Sequence, residues 1–214
     1  MATTGAGSGA VGRQRDTSAG PDHPVEARRR VSPLELFFDL VFVFAITQVT
    51  ALISADPTWQ GLWRGMLALG AIWWAWGAYG WLTNTIDPDA RLGRLVIFTA
   101  MGAMLIVALA TPDAFGEASV AFAVAYLVVR ALHILAYAYG SSDVSVRAAI
   151  LALAPTSIAA PALLIVAGFL EGGPQIALWV VALAIDYSGP YVRGVAGLTV
   201  SPSHFAERYG LIVI

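Results

Sequence analysis

The chain has no cysteine, and all twelve of its basic residues are arginine. Lack of cysteine removes disulfides, thiol nucleophiles and cysteine-ligated iron–sulfur sites together. The arginine-only usage accompanies high alanine and reads as compositional bias. Charge is scarce as well. Asp, Glu, Lys and Arg make up 12% of the residues, against about 25% in an average globular protein, so half the usual solvating charge is missing. The formal net charge of −2 gives no electrostatic footprint for a nucleic-acid partner. Neither HExxH nor GxSxG occurs, so the familiar metal-hydrolase and nucleophile-elbow signatures are absent. The expectation is a non-enzyme with no cofactor and no metal site.

What is present is apolar. Hydrophobic residues reach 58%, and they fall in runs near the length that crosses a bilayer. A soluble fold would need an oversized apolar core from a short chain. The expected class is therefore all-α, a polytopic transmembrane bundle with six full spans and the start of a seventh. Residues 1–30 are rich in Gly, Ala, Ser, Thr, Pro and charge, with no apolar periodicity. They read as a disordered basic cytoplasmic tail, leaving 31–214 as the transmembrane domain. The spans are expected at Pro33–Ile53, Leu62–Thr83, Leu95–Thr111, Ser119–Tyr139, Ala148–Leu170 and Ile176–Val195. The first is too long and too acidic for a cleaved signal peptide. Pro33 suits a helix start, with Ser32 as N-cap. Pro155 and Pro161 should kink or break the fifth span. Of the tryptophans in the second span, Trp63 and Trp81 suit an interfacial belt, whereas Trp73, Trp74 and Trp76 lie mid-span and suit packing against a neighbouring helix. Only Tyr209–Ile214 remain for a seventh span, so a longer protein is expected.

Arginines set the expected orientation. The tail carries five, and Arg91, Arg94, Arg147 and Arg193 follow the even-numbered spans. The alternate loops SADPTWQG, TPDAFGEAS and EGGPQ contain Asp56, Asp113, Glu117 and Glu171 and no arginine. By the positive-inside rule the N-terminus is expected in the cytoplasm, and the expected location is the inner membrane. Arg64, just inside the second span at the outer end, is the exception.

Against that topology, intramembrane charges line up. Glu35 and Asp39 are four apart and share a helix face. Asp39 lies about 9 Å from the inner end of its helix, Asp186 roughly 10 to 13 Å, His133 about 10 Å and Arg130 about 15 Å, from the helical rise. Tyr126, Arg130, His133 and Tyr137 follow one stripe. Arg130 has Asp39 or Asp186 as a counter-ion, and His133 is a candidate proton-linked group. A carboxylate in hydrocarbon needs a partner, a proton or a water-filled cavity. VSPLELFFD at Val31 and VSPSHFAER at Val200 also echo one another, which brings His204 and Glu207 into consideration as the start of a parallel repeat.

The runs SPLELFFDLVFVFAITQVT, LWRGMLALGAIWWAWGAYGWLTNTIDP and LAIDYSGPYVRG…VSPSHFAERYGLIVI resemble the bacterial low temperature requirement protein A family across about residues 31–214. The resemblance implies a polytopic membrane protein, usually longer than this chain. The family name describes a growth phenotype, and no residue role carries over from it. The candidate polar layer is therefore chosen on physical grounds: Glu35, Asp39, Arg130, His133, Asp186, His204 and Glu207. Its expected partners are the lipid bilayer and an ion, proton or small polar solute. The alternative is a non-transporting membrane protein for cold or stress adaptation or for interaction, whose charges only organise the bundle.

Overall fold

A computed structural model describes residues 33–85, 91–141 and 144–193. They form six helices: α1 (Pro33–Ala55), α2 (Trp59–Thr85), α3 (Arg91–Ala110), α4 (Ser119–Gly140), α5 (Val144–Ala167) and α6 (Gly172–Arg193), with a short 3-10 turn at Thr111–Asp113. Among the described residues there is no strand. The helices match the expected spans in order, with ends shifted by a few residues. The start of a seventh span lies outside the described residues.

Four stretches are long and apolar enough to cross a membrane: Leu36–Ala55, Gly93–Asp113, Ser119–Gly140 and Val144–Ala167. α2 and α6 have the length, at 27 and 22 residues. Their Trp, Tyr, Gly and Gln content, with Arg64 and Asp186, keeps them below that hydropathy. The expected count of six apolar spans is thus met by number of helices, with four that qualify on composition.

The order of packing is a closed ring. α1 packs on α2 and α3, α3 on α4, α4 on α5, α5 on α6, and α6 back on α2; α2 also reaches across to α4. Each inward face follows helical periodicity. Phe38, Phe42, Ala45, Val49 and Leu52 are buried on α1, while Phe37, Leu40 and Phe44 are exposed. Large apolar side chains also cover the outside of other helices, including Leu95, Phe98, Leu109, Val166 and Val181. Apolar inside and outside is the pattern of a bundle solvated by lipid tails. Lipid gives no hydrophobic force for helix association, so close contact between small residues has to supply it. Ala45, Ala68, Ala71, Ala75, Ala100 and Ala123 are accordingly buried.

α5 runs unbroken through Pro155 and Pro161, so the helix is not broken there. Each proline costs one helical hydrogen bond, and packing on both α4 and α6 holds the helix together. α5 stops at Ala167 because Gly168 turns the chain against α4. A Cβ on Gly168 would lie 2.8 Å from Val120 Cγ2.

Candidate functional site

Arg130, on the inward stripe of α4, is the centre of the site. It is 3% exposed. Its Nη2 donates to Asp186 Oδ1 of α6 at 2.6 Å and to Ser157 Oγ of α5 at 2.8 Å. Tyr126, one turn away on α4, donates its hydroxyl to Asp186 Oδ2 at 3.0 Å. Three helices are therefore tied at one buried ion pair. The choice left open between Asp39 and Asp186 is settled in favour of Asp186.

Asp39 occupies a separate centre. It is 3% exposed, and its Oδ1 accepts from Trp76 Nε1 of α2 at 2.8 Å. Trp76 in turn stacks on Phe42, with ring centroids 5.2 Å apart. Trp74, two residues earlier and so on the opposite face of α2, stacks on Tyr187 of α6 at 4.3 Å. The Tyr187 hydroxyl donates to the Gly70 carbonyl at 2.9 Å. Trp74 and Trp76 thus pack against neighbouring helices, whereas Trp73 is 38% exposed, and α2 presents aromatic rings towards both α1 and α6.

Tyr79, also on α2, bridges α1 and α4. It stacks on Phe38 at 4.9 Å and lies 5.7 Å from the His133 ring, and its hydroxyl donates to the Val129 carbonyl at 2.9 Å. His133 is held edge-on to Tyr137 at 5.2 Å. The buried Nε of Arg130 and Nδ1 of His133 have no hydrogen-bond partner. The prolines add to this unused polar capacity. Pro161 follows Ser157 by four residues and Pro190 follows Asp186 by four. Having no N–H, neither proline can close the helical bond to those carbonyls. Both residues that grip Arg130 therefore have a backbone carbonyl without its usual helical donor.

Of the residues singled out in the sequence, Arg130 and Asp186 meet directly, His133 lies one turn further along α4, and Asp39 sits across α2. Glu35 falls in the first turn of α1, with its side chain outside the described residues, as are His204 and Glu207 altogether. Ser157, Trp76, Tyr79 and Tyr187 were not anticipated as members. The spacing to Pro161 was the available signal for Ser157. Among the described residues, no three His, Cys, Asp or Glu side chains converge to hold a metal ion.

The pattern of the bacterial low temperature requirement A protein (LtrA) family matches residues 30–214. The chain belongs to that family. An uncharacterized protein of Rhizobium meliloti (strain 1021) is 34% identical over 192 residues, covering 84% of this chain and 47% of the relative. The chain therefore spans about half the length of that relative. No solved structure matches it. The LtrA match covers every residue of the Arg130 cluster and of the Asp39 centre.

Proposed function

We propose that this LtrA chain belongs to a membrane transport protein, a carrier and not an enzyme, whose buried polar layer passes a proton, an ion or a small polar solute. The observation that carries the reading is the pair of buried, unpartnered nitrogens, Arg130 Nε and His133 Nδ1. A buried polar atom without a partner costs about 1–3 kcal/mol, so a hydrogen-bonding guest beside them is favoured. The carbonyls of Ser157 and Asp186, which lack their usual helical donors because Pro161 and Pro190 have no N–H, add acceptor capacity on the same two helices. In this reading α2 and α6 also cross, giving six crossings in the cytoplasmic membrane with the N-terminus in the cytoplasm. The arginine distribution supports that orientation.

The test is flux of protons, alkali cations or polar solutes into vesicles reconstituted with the protein. Asp186→Asn and His133→Phe should each lower flux at least tenfold. Flux unchanged in both removes the layer from the mechanism. A second reading has its own support: the direct contact of Arg130 with Asp186 suits a pin that fixes helix register. It predicts that the same neutral variants lose thermal stability while no substrate of the wild type is found.

A further inference from the structure

A second polar site lies at the opposite end of the bundle, where the α1–α2, α3–α4 and α5–α6 connections gather. A cavity of about 510 Å³ opens there, with Arg64, Phe115, Glu117, Glu171 and Gln175 in its lining. That volume is in the range of small-molecule sites. Its polar groups are poorly used by the protein. Gln175 is 2% exposed, yet its carboxamide oxygen has no partner. Arg64 Nε is buried without a partner, and Arg64 Nη1 reaches Asp56 only at 3.8 Å, in a solvent-facing pair. Two further unpartnered buried groups, Ser119 Oγ and Trp179 Nε1, lie on the helices behind it. The cavity is built rather than accidental. Phe115 carries the Arg64 guanidinium 5.8 Å from its ring centre and packs on Trp179 at 4.5 Å. The Asp113 carboxylate accepts from the Ala118 amide at 3.1 Å, fixing the loop that carries Phe115. Gly172, at φ +65°, makes the turn that delivers Gln175.

The charge pattern selects the guest. A simple anion would meet Arg64 but also Glu117 and Glu171. A simple cation would meet the glutamates but also Arg64. A small zwitterion satisfies both, with its anionic group on Arg64 and its ammonium directed to the Gln175 oxygen and the glutamates. We infer that this cavity binds a zwitterion that carries an anionic head and an ammonium close together. Two sources share that chemistry: a free α-amino acid and the headgroup of a phosphatidylethanolamine. The inference is independent of transport through the Arg130 layer.

The protein, in nanodiscs of phosphatidylglycerol alone, is heated with millimolar L-alanine, with acetate or with methylammonium. It is heated again in discs that contain phosphatidylethanolamine and no additive. A free-ligand site predicts that alanine raises the unfolding midpoint while acetate and methylammonium do not. A lipid site predicts the rise in phosphatidylethanolamine discs alone. In either case Arg64→Gln and Gln175→Leu should abolish the increment. The exposed-site variant Glu117→Gln, which removes no buried contact, should weaken it several-fold. Acetate or methylammonium acting as well as alanine overturns the inference. So does a midpoint unmoved by both alanine and phosphatidylethanolamine, or an increment that survives Arg64→Gln and Glu117→Gln.

Discussion

The Arg130–Asp186 contact concentrates more electrostatic consequence than any other residue pair described here. Two charges withdrawn from water are tolerated because each is also hydrogen-bonded, Arg130 to Ser157 and Asp186 to Tyr126. Removing one partner leaves the other charge buried and uncompensated, at a cost of about 3–5 kcal/mol. Arg130→Met should accordingly lower the unfolding midpoint in detergent strongly. The double variant Arg130→Met, Asp186→Leu should recover much of that loss, which a double-mutant cycle measures. Tyr126→Phe removes only a hydroxyl and should cost about 1 kcal/mol, in line with interhelical hydrogen bonds in membranes. The stripe Tyr126, Arg130, His133, Tyr137 was legible because helical periodicity alone places those four on one face. The partner of Asp39 was not legible. Trp76 is 37 residues away, and which face of α2 meets α1 depends on rotation of both helices, which hydropathy does not encode when all sides are apolar. Ser157 escaped notice for a related reason: a serine inside a helix reads as neutral until its distance to Pro161 is considered.

At the level of helices, α5 and α6 share a device. Each has a proline four residues after the side chain that grips Arg130. Restoring an N–H there should tighten the helix. Pro161→Ala and Pro190→Ala are expected to leave the unfolding midpoint equal or higher while reducing flux, if those carbonyls contact the moving species. Parallel melting and vesicle-flux measurements check this. A fall in stability with normal flux would mean that the prolines serve packing alone. The prolines were conspicuous in the sequence, but the inferred break in α5 did not occur. An isolated helix would be disrupted at such sites, whereas one clasped between two neighbours stays continuous. The cavity around Gln175 was invisible beforehand for a different reason. It is assembled from three connections far apart in the chain, and Arg64 appeared only as an exception to the charge rule.

For the whole molecule, Arg91, Arg94 and Arg147 lie at one end of the helices, and Asp56, Asp113, Glu117 and Glu171, with Arg64 beside them, lie at the other. The absence of cysteine makes the orientation directly testable, since a single introduced thiol reports its own side. Glu117→Cys should react with a membrane-impermeant maleimide on intact cells, and Arg94→Cys only after permeabilisation. The reverse pattern would invert the proposed topology. All-helical architecture and the sequence limits of the helices were readable from apolar run length. The ring closure through α2 was not, because contacts between helices of similar oiliness leave no trace in composition. That closure has an optical consequence. One indole of α2 hydrogen-bonds to Asp39, and another, on the far side, stacks against the neighbour of Asp186. Single-tryptophan versions retaining Trp76 or Trp74 would let emission wavelength and quenching report on each acid separately, without any attached dye.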